Sequence, residues 1–347
     1  MLVEGFPRLA VRLRSTFPEA EITLIQNGTR LNLSFANFPN WEVQVQSTAG
    51  RERFPIVETS LSLHYDCLQN IPEQDFHRLL AAENLGLRGA TVLADEKSGQ
   101  QDSRRDIRVR TTFVGQKGRT VDEAENLAID VLSLLRYARL LEDRILRSTG
   151  GYYFSYEMYY SQYLSKGLGR NRFVNYARTV FHGNTSKVFV ELSNKLRDDY
   201  QYEVEIPQPR VARVRPSSSE IQITVRIPDE IPMISCCATL QSFTSKPEET
   251  FAFVSRLNQQ VSMGHFEVNV DGSLVSFVAW KHLTNDLRLY SLDGMLQTIV
   301  EAAKLLSSES DEGVNKITRL IESLTPQREF QDSDLVCSID GYLRQSA

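Results

Sequence analysis

The residues best suited to binding cluster in one short stretch. Tyr152, Tyr153, Tyr156, Tyr159, Tyr160, Tyr163 and Tyr176 supply seven of the chain's 13 tyrosines. Tyr152, Tyr156, Tyr159, Tyr160 and Tyr163 recur at helical spacing, which places them on one aromatic face. Tyrosine buries a large ring and keeps a polar tip, a combination favoured at interfaces. Tyr152, Tyr153, Tyr156, Tyr159, Tyr160 and Tyr163 are therefore candidate partner-binding residues. The competing reading packs the same face inside the protein. Lys166, Arg170, Arg172 and Arg178 accompany them against a single acid, Glu157, so residues 149–183 carry +3 in a chain of net −5. Aromatic rings beside cations also suit base stacking and phosphate neutralisation.

A second basic run comprises Arg104, Arg105, Arg108 and Arg110. On a strand, Arg108 and Arg110 share the face opposite Ile107 and Val109. With Arg170 and Arg172 these are the candidate anion-binding residues. The plainer expectation is the solvated outer face of a sheet, with Asp102 and Asp106 diluting the charge. A nucleotide or single-stranded nucleic-acid binder is the alternative function that these residues suggest.

Catalysis is not signalled. The chain contains no HExxH, GxxxxGK[ST] or GxSxG, and no GxGxxG after a strand. None of the five histidines stands four residues from another, and His64-Tyr65-Asp66-Cys67, the nearest thing to a polar cluster, reads as a strand end running into a turn and not as a metal or Cys/His site, so no metal and no cofactor are expected. Cys236 and Cys237, adjacent on a strand, point to opposite faces. The four cysteines form no CxxC pair and read as reduced thiols in a cytoplasmic protein. Glu4, Arg8, Arg12 and Arg14 break up any secretory leader, and no run of about 20 apolar residues exists to span a membrane.

An internal repeat must position these residues. Pro72-Glu73-Gln74-Asp75-Phe76 recurs as Pro247-Glu248-Glu249-Thr250-Phe251, and Gly89 recurs as Gly264. Proline and acids open a helix in each copy, where a fixed φ and negative charge are favoured. Each glycine then leads into a strand and a hairpin. The returns are Ile107–Phe113 and Leu274–Trp280, the second after Asp271-Gly272, which reads as a two-residue turn. A long helix closes each copy. Residues 121–147 place Ala124, Leu127, Ala128, Val131, Leu135 and Ala138 on one stripe, and a second helix runs from about Ser291 through Met295, Ile299, Ala302, Ala303 and Leu306 and on past Gly313 to Ile317, Leu320 and Leu324. A short helix opens each copy, with Leu9, Val11, Leu13 and Phe17 or Val188, Val190, Leu192 and Leu196 as its apolar face. Three strands follow. In the first copy the first of these is Glu21–Ile25 or Leu31–Phe35; in the second it is Gln201–Ile206 or Val211–Val214. The expected order is α-β-β-β-α-β-β-α twice: two α+β domains, each an antiparallel sheet with helices on one face.

That duplicated order resembles the type III secretion chaperone-like fold, and within it the YbjN-type family of bacterial sensory-transduction regulators. The resemblance covers residues 1–148 and 184–325 and rests on topology and hydrophobic pattern. It implies a non-enzymatic, chaperone-like or regulatory module that holds another polypeptide. Two copies in one chain imply a covalent pseudo-dimer, with a homo-oligomer as a further outcome. Residues 149–183 form the Tyr-rich helical connector, and residues 326–347 a C-terminal tail that mixes acidic and apolar side chains.

Overall fold

The computed structural model describes residues 5–25, 30–35, 38–48, 56–63, 66–95, 106–114, 127–138, 141, 145, 181, 183–217, 219–228, 232–242, 246–261, 264–283 and 289–306. The chain divides into two compact units, Met1–Tyr176 and Ala177–Ala347. The boundary falls inside the expected 149–183 connector.

The first unit runs α1 (Gly5–Thr16), β1 (Ala20–Ile25), β2 (Arg30–Phe35), β3 (Phe38–Thr48), β4 (Ile56–Leu63), a 3-10 turn (Asp66–Asn70), α2 (Glu73–Asn84), β5 (Thr91–Asp95) and β6 (Asp106–Val114). A helix over 127–138, α3, follows. The second unit runs α4 (Thr185–Asp198), β7 (Glu203–Gln208), β8 (Val211–Arg215), β9 (Ile223–Arg226) and β10 (Met233–Ser242). It continues with α5 (Pro247–Gln260), β11 (His265–Val268), β12 (Leu274–His282) and α6 (Leu289–Leu306).

Each unit holds one six-stranded antiparallel sheet, with strand orders β1-β2-β3-β4-β6-β5 and β7-β8-β9-β10-β12-β11. The two orders are the same. Four strands therefore precede the middle helix, not three, because both alternative runs in each copy are strands. The hairpins β1–β2 and β7–β8 pair them, the first in continuous register and the second with an irregularity between Glu205 and Gln208.

Alternation places the cores. Leu31, Leu33, Val43, Val45, Leu61, Leu63, Ile107 and Val109 are fully buried on one face of the first sheet. Val214, Ile223, Cys236, Val275, Phe277 and Ala279 do the same in the second. Phe17, just past α1, packs edge-on against Phe35 at 6.2 Å. The buried stripes of the opening helices are Ala10 and Leu13, and Phe189, Leu192 and Leu196. Val11 and Val190, expected on those stripes, are exposed instead at 65% and 52%. A stripe shifted by one residue keeps its spacing but turns each valine outward. Asn184 caps α4, accepting from Ser186 N at 2.9 Å and Lys187 N at 3.2 Å.

The closing helix of the first unit is more than a stripe. Residues 127–135 are all buried, Asp130 and Ser133 among them. Its Ser133 and Tyr137 hydroxyls donate to the Gly89 and Arg88 carbonyls. Burial pushes the Tyr137 phenol pKa up. Gly89 and Gly264, matched by the repeat, adopt φ of +92° and +73°. A Cβ at Gly264 would sit 2.3 Å from the Val278 carbonyl oxygen, so only glycine fits there.

The Asp271-Gly272 connection is longer than two residues. Asn269 N donates to Leu274 O at 3.1 Å, which leaves residues 270–273 as the loop. Side chains select this form. Asn269 Oδ1 accepts from Leu274 N at 2.8 Å, and Asp271 Oδ1 accepts from Ser273 N at 3.0 Å and Ser273 Oγ at 2.6 Å. These Ser273 bonds hold the Asp271 carboxyl pKa below its usual value.

Candidate functional site

The tyrosine candidates Tyr152, Tyr153, Tyr156, Tyr159, Tyr160 and Tyr163 lie outside the described residues, as do Arg104, Arg105, Arg170 and Arg172. Arg108 and Arg110 are described, on the outer face of β6 as expected. That face is not a solvated one at Arg110, whose side chain is only 8% exposed. Each guanidinium has a carboxylate beside it. Arg108 pairs with Asp95 of β5, which also accepts from Ser62 Oγ at 2.7 Å. Arg110 lies 3.9 Å from Glu58 of β4. Burial pushes the Arg110 pKa down, with Glu58 opposing the fall and Arg108 adding to it.

The network extends across the sheet. Gln46 donates to Glu58 at 3.3 Å, and Arg30 on β2 donates to Gln44 on β3. Strand register places Arg30, Glu58, Asp95, Asp106, Arg108 and Arg110 on one face. Arg108 and Arg110 thus face internal carboxylates. The arrangement is an internal ion network in place of the open cationic strand expected from the sequence.

The equivalent face of the second sheet is built differently. Met233, Val278 and Trp280 form a buried apolar cluster, with Cys237 packed against it. His265, fully buried, lies 3.4 Å from Glu267 and stacks obliquely on Trp280 at 5.2 Å. Burial drives the His282 pKa down to about 4. Cys236, on the opposite face as expected, has its thiol pKa pushed up by burial, with Cys237 adding to the rise. Fully buried, it is a packing residue. Among the described residues no group of three His, Cys, Asp or Glu side chains forms a metal site, and no helix is long and apolar enough to cross a membrane.

The sheet edges distinguish themselves. At β5 and β11, a helix asparagine bonds the strand's backbone. Asn84 accepts from Val92 N and donates to Val92 O, both at 2.8 Å. Asn258 accepts from Phe266 N at 2.6 Å and donates to Phe266 O at 2.9 Å. At β1 and β7 the attachment is slighter. Arg14 donates to Ile22 O at 3.2 Å, and Arg197 to Val204 O at 3.4 Å. Only Ile22 is buried on β1, and no residue is fully buried on β7. Leu24, Ile25 and Ile206 are exposed apolar residues on these edges. Sequence reading passed over both asparagines. Their signal was an Asn in the last turns of a helix, eight residues before a strand residue, in both copies.

Comparison with known proteins adds three results. One solved structure, the crystal structure of the di-domain ARO/CYC BexL from the BE-7585A biosynthetic pathway, aligns at 9% identity. It covers 91% of this chain and 92% of its own, with a TM-score of 0.14, which is no evidence of a shared fold. No curated protein matches the chain. Residues 197–311 match a family model named YbjN and described as "Putative bacterial sensory transduction regulator". That match runs from the end of α4 through every strand of the second sheet and past α6. Residues 197–311 of the second unit are thus similar to the YbjN family.

Proposed function

We propose that the chain is a non-enzymatic protein-binding module of the cytoplasm, chaperone-like or regulatory, in which both units are domains of one kind. The first unit's membership is supported by its identical strand order and by the asparagine at the same sheet edge. The observation that carries the binding reading is the open edge in each unit. β1 and β7 are exposed along most of their length, with Leu24, Ile25 and Ile206 among the exposed residues, and the opening helices that contact these strands expose Val11 and Val190. An exposed strand edge is satisfied by another extended backbone, and neighbouring apolar side chains add affinity. A partner segment adds to such an edge, and the exposed valine of the opening helix offers it a further apolar contact.

The test is affinity capture from the source cell with the wild-type chain and with Val190→Lys/Ile206→Lys. Both positions are exposed, so the variant keeps its fold while a cation enters the docking surface. The reading expects a specific protein retained by the wild type and lost by the variant. Identical retention by both, or no specific protein with either, would overturn it.

A further inference from the structure

We infer that Asn84 and Asn258 are edge locks: each closes the outer edge of its sheet against strand addition by a second copy of the chain. β5 and β11 end their sheets, so one side of each strand has no neighbouring strand. Such an edge templates self-association unless something occupies it. Here the occupant is a primary amide. Its oxygen accepts the strand's N–H and its nitrogen donates to the same residue's C=O, the two bonds that a paired strand would make. Both asparagines are 2% exposed, so water does not compete for these bonds. Asn84 is held further by a bond from Nδ2 to Leu80 O at 3.0 Å, which fixes the amide against its own helix.

The strands are short, which makes one lock sufficient. Outward backbone groups recur at every second residue. On β5 these are Val92 and Ala94, and on β11 Phe266 and Val268. With Val92 and Phe266 engaged, one outward residue remains on each strand, too few for a ladder. The device appears in both units, at the same strand and the same separation, on otherwise different local sequences. This inference concerns the edges opposite β1 and β7 and does not rest on the proposed partner binding.

Two measurements on the full chain test it. In the wild type, residue-resolved hydrogen exchange should find the Val92 and Phe266 amides at least about tenfold slower than the Ala94 and Val268 amides, since each protected amide has one additional hydrogen bond. Equal, fast exchange at all four positions would overturn the lock. In Asn84→Leu and, separately, Asn258→Leu, the amide is lost at similar side-chain volume. Sedimentation velocity should show mass rising with concentration above that of the wild type. Adding Ala94→Pro to Asn84→Leu removes an outward N–H and should return the mass to the wild-type value. If both single variants keep the wild-type mass at every concentration, the lock is refuted. The wild-type exchange pattern decides the matter should either variant fail to fold.

Discussion

His282 should make the second unit acid-sensitive. Its imidazole is buried on the outer face of β12, and burial drives its pKa from the ordinary value of 6.5 to about 4. The unfolded chain binds the proton near pH 6.5 while the folded chain refuses it until about pH 4. Stability from this group is therefore fully present above pH 6.5 and is lost as pH falls through that window. At about 1.4 kcal/mol per pH unit, the loss reaches about 3 kcal/mol by pH 4. The assay is chemical denaturation followed by Trp280 fluorescence in a Trp41→Phe background, since the chain's two tryptophans lie one in each sheet. Wild type and His282→Gln are compared at several pH values from 7.5 downward. Whatever the variant's stability at neutral pH, the difference between the two curves is what reports His282. Other acids titrate alike in both. The gap should close or reverse by about 2 kcal/mol between pH 6.5 and pH 5. Parallel loss of stability in the two proteins would refute the reasoning.

Three further changes have definite expected outcomes. Gly264→Ala places a methyl 2.3 Å from the Val278 carbonyl at positive φ, and should cost more than about 2 kcal/mol in the same fluorescence assay. Asn184→Ala removes two capping bonds on α4 and should cost about 1 kcal/mol by thermal denaturation, with Asn184→Asp close to neutral. Val278→Arg should cost more than Arg110→Val, at about 4 against about 2 kcal/mol, although both swap the residue found at the equivalent place in the other unit. A buried arginine at 278 meets His265 and Trp280, whereas Glu58 left without Arg110 is 17% exposed and keeps Gln46. Equal costs in urea denaturation would contradict that difference.

What the sequence disclosed tracks what the backbone constrains. Pro72, Pro247, Gly89 and Gly264 were readable because φ limits which residues those positions accept. The strands of the hairpins were readable because alternation has a period of two. Val11 and Val190 were misplaced because their neighbours Ala10 and Phe189 are apolar too, and helical spacing alone does not choose between adjacent stripes. Arg110 looked solvated because a charge opposite Ile107 and Val109 on a strand ordinarily faces water. Its burial depends on Glu58, distant in sequence and brought close only by the β4–β6 pairing. Asn84 and Asn258 escaped notice for the opposite reason: nothing about a helical asparagine announces a bond to a strand that has not yet formed. The 3.6-residue period of α3 was seen, but its burial on every side is a property of packing.

The pairing of the two sheets also bears on where a partner would sit. Register equates Ser60, Arg110 and Thr91 with Cys237, Val278 and His265, because Arg110 and Val278 each pair with both neighbours. One row is part of an ion network and the other of an apolar and histidine cluster, yet both are largely buried. The same frame has therefore been given two chemically different outer faces. The locked edges, the opening-helix valines and the open edges are instead alike. A ligand recognising an outer face would tell the units apart, whereas a ligand adding to an open edge meets nearly the same surface twice. Two equivalent edges in one chain raise the effective concentration of the second contact once the first is made. Loss of capture with Val190→Lys/Ile206→Lys alone would then place the partner on the second unit. Partial loss with that variant, completed only when Val11→Lys/Leu24→Lys is added, would place it on both.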